Sequence, residues 1–68
     1  MKKVGKWQIS LTDNKRELVI TNQFETCYAF FNMQTDTLYF DRIVCPKSVQ
    51  EAAKKYGRAN GMVDIYND

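Results

Sequence analysis

The chain has no histidine, two cysteines and eight carboxylates, and that inventory limits the chemistry open to it. Histidine is the usual general base near neutral pH. Ser10 falls in an alternating, strand-like segment and Ser48 at the start of a helical pattern. Neither lies in a G-x-S-x-G setting, where a nucleophilic serine is held on a strained turn. Asp41 is the carboxylate that sits within an aromatic strand. Buried in a cleft it would have a raised pKa and serve as an acid or base. The plainer reading is an exposed carboxylate on the outer face of a sheet, or one paired in the neighbourhood of Arg42. Three glycines and no GxxxxGK[ST] pattern leave nothing to cradle a phosphate. With two cysteines and no histidine, the usual zinc spacings are missing as well. The reading is a protein that binds and does not catalyse, with no cofactor and no metal.

Cys27 and Cys45 fall near the open end of a predicted hairpin, almost opposite one another. Free cysteine is among the most commonly buried residue types, so two inert packing thiols are the plain expectation. A redox switch is the sharper one, if the two are brought face to face. The basic residues form two groups: Lys2, Lys3 and Lys6 at the N-terminus, and Lys54, Lys55 and Arg58 in the last turns of the predicted helix. The second group suits the negative end of a helix dipole without any partner. Brought together on one surface, the two groups would hold phosphates of a nucleotide or nucleic acid.

The most informative residues are aromatic. Thr26–Met33 and Thr37–Cys45 flank the polar turn Gln34-Thr35-Asp36, and this hairpin is apolar on both faces. A sheet with one wet face should alternate apolar and polar residues. Pairing Met33 with Leu38 puts Ala29, Phe31, Met33, Leu38, Phe40 and Val44 on one side. Tyr28, Phe30, Tyr39 and Ile43 fall on the other. A one-residue slip would exchange the faces of one strand and still leave both sides apolar. One face can bury against the chain's own helix; the other calls for a second subunit, a ligand or a target. The residues that would line it are Tyr28, Phe30, Asn32, Tyr39, Asp41 and Ile43, large apolar surfaces with a few polar groups among them.

The elements that must position these residues read as follows. Lys6–Leu11 alternates with Trp7, Ile9 and Leu11 on one side, a half-buried first strand. Thr12–Arg16 is a turn and Glu17–Thr21 a second strand. Asn22–Glu25 leads into the hairpin, with Phe24 expected as an anchor beneath the link. Cys45-Pro46-Lys47-Ser48 ends the sheet and starts a helix. Two starts compete, a capping box of Ser48 and Glu51, or Cys45 at the N-cap with Pro46 at the first helical position. Val49, Ala52, Ala53 and Tyr56 form the apolar stripe. Gly57 is the natural stop, with Gly61 the alternative. Met62–Tyr66 reads as a last strand.

The fold class is therefore α+β: a small antiparallel sheet of four to five strands with one helix packed on one face, in the order ββββαβ. Sixty-eight residues form a single domain, 1–68, whose core is marginal for its size. Small scaffolds lean on disulfides, metals or oligomerisation, and here oligomerisation is the aid left. A net charge of +2 is too weak to argue for nucleic acid by itself. No apolar h-region follows the opening lysines and no apolar run approaches a membrane span, so a cytoplasmic protein with reduced thiols is expected. The functional expectation is an inhibitor-type accessory protein, of the kind phages and mobile elements carry, that self-associates through its aromatic sheet face. It would occlude or sequester a heterologous protein or a small charged ligand. The alternative is a nucleic-acid-binding module that stacks bases on the sheet aromatics.

Overall fold

The computed structural model describes residues 1–32, 34–42 and 45–63. It contains five strands followed by one helix: β1 (Lys2–Val4), β2 (Trp7–Leu11), β3 (Leu18–Thr21), β4 (Thr26–Asn32), β5 (Thr37–Phe40) and α1 (Lys47–Ala59). The strands form one antiparallel meander in the order β1-β2-β3-β4-β5. This is the expected small α+β architecture, with an extra strand at its start. β1 is a Lys-Lys-Val segment with no alternation to mark it. It exists because Gly5, at φ 60°, opens a tight loop that sets Val4 against Trp7. The anticipated last strand begins at Met62, which is not in a strand. Of the rest of that segment, Val63 donates its N–H to Lys15 O at 2.7 Å, and residues 64–66 lie outside the described residues.

Sheet pairing sorts the side chains by parity. Ile9 opposes Ile20, Ile20 opposes Cys27, Leu18 opposes Ala29, and Phe31 opposes Leu38. All of these point to the helix side, where Ile9, Leu18, Ile20, Cys27 and Ala29 are fully buried. Leu38 thus pairs with Phe31 and not with Met33, a shift of two residues from the expected register. A shift of two preserves parity, so each described hairpin residue keeps its assigned face. Met33 and Val44, also assigned to the inner face, lie outside the described residues.

Helix α1 crosses β1, β2 and β3 on this inner face and buries Val49, Ala53 and Gly57, each one turn beyond the last. Ala52 and Tyr56 flank them as the stripe predicts. The helix start differs from both expected starts, and its end falls at the alternative of the two expected stops. Pro46 itself is the N-cap, extended at ψ 159°, and its carbonyl accepts from Val49 N–H and Gln50 N–H at 3.0 and 3.1 Å. Ser48 is therefore inside the helix, and no side chain caps its start. Gln50 Nε2 donates to Cys45 O at 3.0 Å and secures that end instead.

At the other end Gly57 does not stop the helix; Gly61 does, at φ 75°. Met62 N–H donates back to Gly57 O at 2.9 Å and Gly61 N–H to Arg58 O at 3.5 Å, the paired bonds of a Schellman motif. Gly57 is interior because Met62 folds over it. A methyl built there would stand 2.9 Å from Met62 Sδ and 3.4 Å from Leu18 Cδ1.

Candidate functional site

Among the described residues, no helix lies over the outer face of the sheet. In the paired register Ser10, Val19 and Tyr28 form one row across β2, β3 and β4. Phe30 and Tyr39 form the next across β4 and β5, and Asn32 and Thr37 close the patch beside the β4–β5 loop. Tyr28 and Tyr39 are 40% and 45% exposed, while Phe30, Asn32 and Val19 are half-buried among their neighbours. Five of the six residues expected on this surface are thus brought together: Tyr28, Phe30, Asn32, Tyr39 and Asp41. Ile43 lies outside the described residues.

Asp41 is exposed and its polar groups serve the strand end. Its N–H donates to Tyr28 O at 3.0 Å, and its Oδ1 accepts Tyr28 N–H at 2.9 Å. The carboxylate takes the place that the next backbone carbonyl of β5 would fill in a continuing ladder. It is not held in a cleft.

A further aromatic joins this inventory. Phe24, expected as an anchor under the β3–β4 link, is 82% exposed at its tip. Asn22 explains why. Its Oδ1 accepts from both Phe24 N–H and Glu25 N–H at 2.8 Å, while Asn22 N–H donates to Glu25 O at 2.9 Å. This side-chain-closed turn folds the link on itself and sends Phe24 outward. The Asn-x-Phe-Glu spacing was the available signal, and hydrophobicity alone pointed the other way.

The basic helix residues are divided by the helix. Lys54 reaches Asp36 at 2.9 Å and Arg58 pairs with the same carboxylate, which sits in the β4–β5 loop at φ 56°. Arg58 also lies over the Phe31 ring, 5.5 Å from its centroid. The Lys54 ammonium, with Arg58 beside it, lowers the Asp36 carboxyl below its ordinary value. Lys55 faces a different groove, lined also by Lys2, Glu51 and Tyr56. Lys54 and Arg58 thus brace the hairpin against the helix, and Lys55 stands apart from them. All three are on the helix side of the sheet, opposite the Tyr28–Phe30–Tyr39 surface.

Cys27 and Cys45 are both buried and both free, and each thiol bears on the electrostatics of the other. Burial first, then the neighbouring Cys45, pushes the Cys27 thiol up to about 11, and burial likewise raises Cys45. Thiols held neutral in this way are poor nucleophiles. Among the described residues no group of histidine, cysteine or carboxylate side chains could hold a metal. Nor is any helix there long and apolar enough to cross a membrane. Comparison with protein-family models, with curated proteins and with solved structures returns no match.

Proposed function

We propose that this chain is a small non-enzymatic binding protein that lays its outer sheet face on a protein target and occludes it. The observation that carries this reading is one-sided coverage. The helix packs on β1 to β3 of the inner face, while the described residues lay no element over Tyr28, Phe30 and Tyr39 on the other, with Asn32 and Asp41 at their border. Rigid aromatics presented on a sheet are the side chains that anchor protein interfaces, and Phe24 adds a fourth at the neighbouring tip. Tyr28, Phe30 and Tyr39 line none of the described grooves, which favours a protein over a small charged ligand, since small-molecule sites are concave. In this reading the protein works in the cytoplasm as an accessory inhibitor, of the kind mobile elements encode, and its thiols stay reduced.

Nucleic-acid binding is the rival class. A base-stacking platform needs cations beside its aromatics, and here Lys54, Lys55 and Arg58 lie across the sheet from them. The test of the main reading is affinity capture from lysate with the wild-type chain and with a Tyr28→Glu, Phe30→Asp variant whose circular dichroism is unchanged. A discrete protein retained by the first and lost by the second is expected. Equal retention by both would refute the assignment of this face. Salt-sensitive oligonucleotide binding abolished by Lys54→Glu with Lys55→Glu would favour the rival.

A further inference from the structure

The two edges of the sheet are unlike. β1 is three residues long and carries Lys2 and Lys3, the device by which natural sheets guard an edge. β5, Thr37-Leu-Tyr-Phe, has no charge, no proline and no interruption in its ladder with β4. An unguarded apolar edge is a template for another strand.

Its hydrogen-bonding groups have a defined direction. Asp41 N–H donates to Tyr28 O, so these two oppose each other as a hydrogen-bonded pair. In an antiparallel ladder such pairs alternate, which makes Phe30–Tyr39 and Asn32–Thr37 the next ones. Tyr39 and Thr37 therefore spend their backbone groups on β4. Leu38 and Phe40 point theirs off the open edge.

We infer that β5 pairs antiparallel with β5 of a second copy of this chain, about a two-fold axis through Tyr39. One register matches outward groups with outward groups at both positions: Leu38 opposite Phe40 of the second copy, and Phe40 opposite its Leu38. Tyr39 then meets Tyr39 of the second copy on the outer face, in the closer, non-hydrogen-bonded type of pair. Leu38 and Phe40, half-buried on the inner face beside an open groove that Gln50, Glu51 and Lys54 also line, gain apolar cover from Phe40 and Leu38 of the second copy. A second copy is the occupant that this self-complementarity selects, since the β1 edge offers lysines in the equivalent place. Pairing by the edge leaves the outer face free and joins two copies of it into one aromatic surface. The inference stands whether or not that face binds the proposed target.

Edge pairing alone buries little area, so the dimer is a weak one and must be sought across micromolar to millimolar concentrations. Light scattering should show a mass rising toward twice the 8.0 kDa of one chain. Tyr39→Glu, which sets like charges directly opposite each other, should hold the protein at the mass of one chain, whereas Tyr28→Glu should leave the dimer intact. Tyr39→Cys should cross-link to itself under mild oxidation, because a non-hydrogen-bonded pair separates Cα atoms by about 4.5 Å, within disulfide reach. Thr37→Cys, opposite Asp41 in this register, should not. A single-chain mass throughout with no Tyr39→Cys cross-link would overturn the inference. So would a dimer that Tyr28→Glu disrupts as fully as Tyr39→Glu does, since that pattern belongs to face-to-face stacking.

Discussion

Replacing Gly57 with alanine sets two known effects against each other. Glycine inside a helix costs about 1 kcal/mol relative to alanine, so on an open helix surface the change would stabilise by that amount. Gly57 is buried two residues before the end of α1, and the added methyl would meet Met62 Sδ at 2.9 Å, Leu18 Cδ1 at 3.4 Å and Met62 Cβ at 3.5 Å. Met62 is 2% exposed and Leu18 0%, so neither side chain has empty space to swing into. Overpacking a well-filled core costs about 1–3 kcal/mol. The net expectation is a loss of about 1 kcal/mol, or a fall in Tm of about 4–8 °C for a domain of this size.

The sign should reverse when the obstacle is removed. Met62→Ala alone should cost about 2–5 kcal/mol through the cavity it leaves. In that background Gly57→Ala should stabilise, by about the 1 kcal/mol of helix propensity together with partial filling of the hole. Urea unfolding of the four chains, followed by helix ellipticity and the emission of the single tryptophan, Trp7, closes the cycle. Stabilisation of the same size in both backgrounds would refute the reasoning, because it would mean that Met62 does not lie over Gly57.

The remaining predictions address the other particular contacts. Asp36 has its carboxyl lowered by Lys54 and Arg58, so its contribution is present above the ordinary carboxylate pKa of 3.8 and lost as pH falls through the lower folded value. The Tm difference between wild type and Asp36→Asn should therefore shrink from pH 7 toward pH 2, and a constant difference would argue against the pairing. Cys27 has its thiol raised from 9.0 to about 11, so its neutral form contributes fully below pH 9 and that contribution is lost as pH rises through about 11. Both thiols should resist iodoacetamide at pH 8 until the chain is unfolded by urea, and rapid labelling of the native protein would show them accessible. Phe24→Ser should change stability by less than about 0.5 kcal/mol, as a surface position does. A loss of about 3 kcal/mol, on the scale of a core phenylalanine, would restore it to the interior.

Parity made the faces of the hairpin legible in the sequence. Tyr28, Phe30 and Tyr39 share the outer side although Leu38 pairs two residues away from the expected partner, because side-chain direction repeats every two residues. The register itself was not legible. It is set with a loop whose Asp36 is bound by Lys54 and Arg58 from a helix that starts well downstream in the chain, and no local rule contains that contact. The helix stripe and two candidate stops were readable from the sequence; the choice between the stops was not, since only the fold shows that Met62 needs the space above Gly57 and leaves Gly61 to supply the left-handed turn. β1 escaped notice for the opposite reason. Its lysines serve as an edge guard and carry no burial pattern. Phe24 shows the limit of hydrophobicity as a guide, because the hydrogen bonds of Asn22 decide where that side chain goes.

The aromatic outer face follows from simple dimensions. Five strands at about 4.8 Å spacing make a sheet roughly 24 Å wide, and a helix is only about 10 Å across. A single helix of 13 residues cannot cover even one face of such a sheet. α1 lies on β1 to β3, and over β4 and β5 the inner face relies on Arg58 stacked on Phe31 and on a groove left open beside Leu38 and Phe40. Covering the outer face in the same manner would take a second helix, which the described residues do not contain. The chain nevertheless places Phe30 and two tyrosines there, where solubility alone would favour threonine or lysine, and leaves β5, Thr37-Leu-Tyr-Phe, at an edge without a guarding charge. Both departures fall on β4 and β5. Surface exposed by the fold at that single corner is what a partner, or a second copy, would have to bury.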